Sequence, residues 1–240
     1  MTTDRFYTKI QQKRKKPCKL RKHPIKSITS MDVYSLHLGG HFGDIWRSIS
    51  YLCNLSVKHN WITQITRHCR YYGRVQDTSK LIQDIYKLLD TPGRIQIVDS
   101  RPTNEVTEEN IFGDKLVPTK LQWKNTKNNI ICHQFDGVVC ARRCPPESTV
   151  NNMIKQLSPN YKFIKLGKPK TPEECLKIAI NCKLFIGVDS GMAHLCLSAG
   201  VPIHLIRKSS RRAFNGWFKN RNYQLYDNIT QLYEYLLKNK

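Results

Sequence analysis

Two short segments hold the residue types that chemistry needs. The first is Phe185-Ile186-Gly187-Val188-Asp189-Ser190-Gly191-Met192-Ala193-His194. An apolar run there delivers Asp189, and Ser190-Gly191 opens a helix. An acid, a hydroxyl, a glycine and a histidine share one helix start, whose N–H groups can hold phosphate. An aspartate cap beside a packed histidine would use the same letters, but four such groups converging favours a site. The second is Leu38-Gly39-Gly40-His41-Phe42-Gly43-Asp44. Gly39, Gly40 and Gly43 let a backbone approach a ligand, and Asp44 stands at a helix start. Asp44 is either an N-cap or a carboxylate facing a cleft, and spacing leaves both open.

The elements that must position these residues follow from apolar periodicity. A strand is expected at 33–38, ending in the glycine loop, then a helix with Ile45, Ile49, Leu52 and Leu55 on one face. A strand within 61–68, a helix carrying Leu81, Ile85, Leu88 and Leu89, and a strand at 95–98 come next. Residues 101–126 are polar and poorly patterned and read as a linker. Strands at 129–133, 161–166, 184–188 and 202–206 then alternate with helices at 146–157, after Thr171, at 193–199 and after Asn228. Thr171-Pro172-Glu173-Glu174 is a capping box with proline at the first helical position. Strand-helix alternation implies α/β architecture with parallel sheets and crossover helices. The expected organisation is a flexible basic arm at 1–28, one β/α domain at 29–126, another at 127–222 and a closing helix at 223–240. Both segments fall at carboxyl ends of strands, where open α/β sheets bind ligands.

The second half resembles glycosyltransferase family 9, the heptosyltransferases. The likeness rests on Asp189-Ser190-Gly191-Met192-Ala193-His194-Leu195 followed by Ala199-Gly200-Val201-Pro202. Gly167-Lys168-Pro169-Lys170-Thr171-Pro172-Glu173-Glu174 resembles that family's run into its capped helix, and Gly43-Asp44 matches its Gly-Asp near the first strand. The resemblance implies a B-type glycosyltransferase fold, two Rossmann-like domains facing across a cleft, in a minimal version. It makes Asp44 the general base and places a nucleotide-sugar donor on Asp189, Ser190, Gly191, Met192 and His194. Arg142 or Arg143 would join the helix start in stabilising the leaving diphosphate, standing where the family has a lysine. No Asp-x-Asp occurs, consistent with metal-independent transfer and no cofactor beyond the donor. The chain departs from the family in its shortness, its arm, and the missing stretch after Gly167 that helps read the base.

Composition restricts the acceptor. The 240 residues carry 40 Lys and Arg against 18 Asp and Glu, a net charge of +22. Residues 1–30 hold ten of those cations, Lys13, Arg14, Lys15 and Lys16 among them, with Asp4 as the lone acid. The rest is also basic, so the field attracts polyanions: nucleic acid, anionic lipid or acidic glycan. In 207–221, Arg207, Lys208, Arg211 and Arg212 interleave with Phe214, Trp217 and Phe218, a mixture suited to phosphates and bases. A solvated basic loop with packed aromatics would look the same. Two acceptors follow: hydroxymethylated DNA, which is favoured, or a lipid-linked glycan at an anionic membrane face. A catalytically inactive nucleic-acid-binding scaffold is the third reading. Nine cysteines without a CxxC suit reduced thiols in a cytoplasm-like compartment. His133, Cys140 and Cys144 match no common zinc spacing. The amino end lacks the apolar stretch of a secretory signal, and no run is long enough to span a membrane.

Overall fold

Capping chemistry and strand composition set the element boundaries. Thr171 Oγ1 accepts the Glu174 N–H at 3.2 Å while Glu174 Oε2 accepts the Thr171 N–H at 2.7 Å, the reciprocal box expected from the sequence. Asn228 Oδ1 likewise accepts the Gln231 N–H at 3.0 Å. The computed structural model describes residues 35–36, 39–40, 42–60, 62–66, 68–71, 74–99, 117–125, 128–136, 144–206 and 223–239. The basic arm with Lys13, Arg14, Lys15 and Lys16, the pair Arg142 and Arg143, and the segment holding Arg207, Lys208, Arg211, Arg212 and Trp217 lie outside the described residues. The chain divides into Met1–Met31 and Asp32–Lys240, and the second unit carries everything that follows.

Its first half runs β1 (Ser35–Leu36), β2 (Gly39–Gly40), α1 (Phe42–His59), β3 (Ile62–Thr66), β4 (His68–Tyr71), β5 (Arg74–Asp77), α2 (Ser79–Leu88) and β6 (Arg94–Val98). Strand β3 lies between β1 and β6, parallel to both. Its second half runs β7 (Ile130–Gln134), α3 (Glu147–Leu157), β8 (Lys162–Lys165), α4 (Pro172–Ala179), β9 (Leu184–Gly187), α5 (Gly191–Ser198), β10 (Ile203–Ile206), β11 (Tyr223–Tyr226) and α6 (Ile229–Lys238). The five strands are parallel in the order β11-β10-β9-β7-β8. That is a doubly wound order whose direction reverses between β7 and β9. Strand β9 is buried along its whole length, as a central parallel strand covered on both faces must be.

Four local expectations change. Gly39 and Gly40 are a two-residue strand paired with Arg70 and Tyr71, not an open loop. The strand expected within 61–68 is two strands, β3 and β4, and β4 turns back antiparallel into β5. Tyr223–Tyr226, placed with the closing helix, is the edge strand β11. The carboxyl part of the expected linker is an ordered strap. Its Thr119 N–H donates to Ser198 O and Lys120 N–H to Leu88 O, while Trp123 N–H donates to Ala199 O and Lys124 N–H to Ile180 O. Trp123 Nε1 adds a bond to Cys182 O at 2.8 Å. These carbonyls stand at or just past the carboxyl ends of α2, α5 and α4, where a helix leaves its last acceptors unsatisfied. The polar composition that reads as a linker is therefore a cap for three helices.

The two halves share one core. Ile45, Trp46, Ile49 and Leu52 of α1 and Ile82 and Ile85 of α2 join a single buried cluster with Leu176, Phe185, Leu195 and Leu205 of the second half. A second cluster fills the other face of the large sheet, between Ile131, Ile186 and the apolar sides of α3 and α6. No helix among the described residues is long and apolar enough to cross a membrane. Cys53, Cys132, Cys144, Cys175, Cys182 and Cys196 are free thiols, all but Cys144 buried.

One buried histidine makes stability depend on pH. His204 on β10 stacks on Tyr226 at 5.7 Å, lies 4.7 Å from Tyr235, and bonds Tyr226 Oη through Nδ1 at 2.8 Å. Burial pulls its pKa down from 6.5 to about 4. The unfolded chain then binds the extra proton between these values, so stability falls as pH drops from about 6.5 to about 4. The expected loss between pH 7 and pH 5 is on the order of 2 kcal/mol. His133, also lowered to about 4, adds to the trend. Urea melts should show this slope, reduced in His204→Gln; a flat profile in the unmodified chain would rule it out.

Candidate active site

Strand β9 ends at the point where the order of the large sheet reverses, and the chain beyond it carries the first sequence segment. Gly187 pairs with Gln134 across this gap. A Cβ on Gly187 would overlap the Gln134 carbonyl oxygen at 2.1 Å, so only glycine lets the two strand ends close up here. The next residues turn into α5. Ser190 is its N-cap, with Oγ accepting the Ala193 N–H at 3.4 Å. The helix start so fixed leaves its first amides without intrahelical partners, the feature that attracts anions.

Asp189 and His194 meet on this turn. The two side chains approach to 3.3 Å between Asp189 Oδ1 and His194 Nε2. The histidine side chain is 7% exposed and the aspartate 24%, so the pair reaches solvent through its acid. Met192, expected among the donor contacts, has its side chain buried in the shared core, and only its backbone stands at the helix start. Ser190 is occupied as a cap, which gives its hydroxyl a structural duty.

The second sequence segment arrives at the same place. Helix α1 begins at Phe42, so Asp44 is its third residue and not its N-cap; the carboxylate itself lies outside the described atoms. A negative side chain at that position suits the helix dipole. The starts of α1 and α5 touch: a Cβ on Gly191 would lie 2.2 Å from Phe42 Cδ1 and 2.9 Å from Gly43 N. A Cβ on Gly43 would lie 3.0 Å from His194 Cδ2 and 3.2 Å from Gly191 Cα. Gly43 and Gly191 are thus the surfaces through which two helix starts meet. Two positive helix ends beside an acid-histidine pair can hold an anion and, next to it, a group that exchanges a proton.

Residues at the ends of β7 and β8 border the same edge and were not singled out as binding residues from the sequence. Gln134 closes β7, and its Nε2 would lie 2.9 Å from a Cβ on Gly167. Gly167 follows β8 with φ +97°, a conformation that favours glycine. Lys165 Nζ pairs with Asp136 Oδ2 at 2.9 Å. Burial, assisted by the Lys165 charge, draws the pKa of nearby His133 down to about 4. The available signal was a strand ending in His-Gln-Phe-Asp-Gly, which is the pattern of a strand running into a loop. Among the described residues no group of three or more His, Cys, Asp or Glu could hold a metal ion; Cys140 lies outside them.

No family model matches the chain, and no curated protein matches it. Solved structures do. A glycosyl transferase family 9 structure from Veillonella parvula DSM 2008 aligns at 10% identity over 87% of this chain and 89% of that one, with TM-score 0.55. The iron-containing dodecameric glycosyltransferase TibC from enterotoxigenic E. coli H10407 aligns at 16% identity over 72% of this chain, with TM-score 0.53. The match spans 57% of TibC, little more than half its length. The parallel sheets and the doubly wound second half therefore share the fold of these glycosyltransferase structures, the B-type glycosyltransferase fold.

Proposed function

We propose that the chain is a glycosyltransferase that moves a sugar from a nucleotide-sugar donor to a hydroxyl of a polyanionic acceptor. The observation that carries this reading is the convergence of Gly43-Asp44 on the Asp189–His194 turn, at the reversal point of a sheet with this fold. The acceptor oxygen attacks the anomeric carbon as the carbon–diphosphate bond breaks, and the hydroxyl proton passes to the Asp44 carboxylate. Charge builds on the departing diphosphate, where the amide end of α5 offers stabilisation without a metal. Asp189 and His194 hold the donor, and Arg142 or Arg143 is assigned to the diphosphate through the family resemblance.

The acceptor follows from charge. A net +22 supports a polyanion, and cations interleaved with aromatics in 207–221 support DNA bearing hydroxymethyl groups over an anionic membrane glycan. The test is transfer and hydrolysis across a panel of nucleotide sugars, with hydroxymethylcytosine DNA, unmodified DNA or anionic vesicles carrying a lipid-linked glycan. Turnover with the modified DNA alone is expected. Turnover with the vesicles alone would reassign the acceptor. Failure to bind any donor would leave the inactive scaffold as the reading.

A further inference from the structure

The contact that brings the two halves together continues below the glycines. One turn beyond Gly43, the Trp46 side chain is fully buried, and its Nε1–H donates to Ser198 Oγ at 3.0 Å. The partners are 152 residues apart in sequence and join the second turn of α1 to the last residue of α5. Phe42 stands beside Trp46, with ring centroids 5.8 Å apart, and covers Gly191. The two helices are therefore pinned twice: by the glycine contact at their starts and by a buried polar bond farther along. The strap adds a third tie, since Thr119 and Lys120 bond Ser198 O and Leu88 O and so reach both halves.

This arrangement differs from two bodies joined by a flexible linker. Interfaces between domains that move are commonly small and polar, whereas here one apolar core runs through both halves. Opening such a contact would expose Trp46 and leave its N–H and the Ser198 hydroxyl to find new partners. Asp44 lies two residues before Trp46 on α1, and His194 four residues before Ser198 on α5. A shift of one helix along the other would change the distance between these two positions directly.

We propose that Trp46 and Ser198 are positioning residues, which hold α1 and α5 as one rigid body so that the two half-sites stay in reacting register without the halves opening. This rests on the glycosyltransferase reading for its catalytic consequence, but its mechanical part stands alone. The test uses the full chain with Ser198→Ala, the hydroxyl-retaining Ser198→Thr, and Trp46→Phe. Hydrogen exchange is followed at residues 42–50 and 191–199.

In Ser198→Ala, exchange should quicken together on both helices, and Ser198→Thr should restore much of the protection. Faster exchange confined to the substituted helix, or on neither, would overturn the rigid-body proposal. On donor turnover, Ser198→Ala should lower kcat by about tenfold or more, with KM for the nucleotide sugar unchanged. Destabilisation with kcat unchanged would make the bond merely structural and overturn the positioning role. Should the unmodified protein turn over no donor, the function proposed above fails, and the exchange measurement still decides whether the halves move as one. Trp46→Phe removes the donor instead of the acceptor. Trp46→Phe/Ser198→Ala should loosen the two helices no further than Trp46→Phe does, since both remove one bond; additive effects would count against it.

Discussion

Asp44→Asn is expected to abolish sugar transfer while leaving nucleotide-sugar affinity intact. The amide is nearly isosteric with the carboxylate but cannot take the acceptor proton, so the loss should reach about 10²–10⁴-fold in kcat. Asp44 stands third in α1, where a carboxylate favours the helix dipole by about 0.3–1 kcal/mol, so the exchange should cost little stability. Thermal melts together with donor titration separate the outcomes. Unaltered turnover would remove Asp44 from the chemistry, and lost donor affinity would move it to the donor site. Asp189→Ala serves as the contrast, because that change should weaken the donor first.

Gly191→Ala should be strongly damaging, because it strikes the contact between the two helix starts. The new Cβ would enter at 2.2 Å from the Phe42 ring and 2.9 Å from the Gly43 amide nitrogen. The ring could swing aside, but the backbone nitrogen moves only with α1. Overpacking of this kind costs about 1–3 kcal/mol. A displacement of α1 by a fraction of its diameter would misplace Asp44, and about 10²-fold in rate is the scale for a 1 Å error. Gly43→Ala is the internal comparison. Its nearest atoms lie at 3.0, 3.2 and 3.3 Å, and inside a helix alanine regains up to about 1 kcal/mol over glycine. That variant should therefore be close to neutral in stability. Equal tolerance of both variants in melts and turnover would mean that the helix starts do not meet as tightly as 2.2 Å implies.

Much of the site was legible because its signals are local. The capping box at Thr171–Glu174 needs only a threonine and a glutamate three apart, and its hydrogen bonds form as read. The all-apolar Leu184–Val188 run marks a strand covered on both sides, and Asp189 to His194 must follow where that strand ends. The basic arm and the 207–221 segment were equally conspicuous, and they lie outside the described residues.

What failed to show were features that depend on distant partners. Gly39 and Gly40 read as a loop because glycine favours turns, yet their backbone finds Arg70 and Tyr71 beside it and pairs as a strand. Residues 117–125 look like a linker since their polarity has no period; their hydrogen bonds go to helix ends far off in the sequence, as from Thr119 to Ser198 and from Lys120 to Leu88. Tyr223–Tyr226 is a strand only because β10 offers it an edge.

Periodicity, capping and the Asp-Ser-Gly-Met-Ala-His run determined by themselves the α/β class, the order of most elements and which turn holds the acid and the histidine. Tertiary structure alone decided that α1 and α5 meet through two glycines, that Trp46 bonds Ser198, and that both halves share one core. The reason is physical: periodicity reports which face of an element is apolar, while the identity of the face packed against it depends on chain closure over more than a hundred residues, which no local pattern encodes.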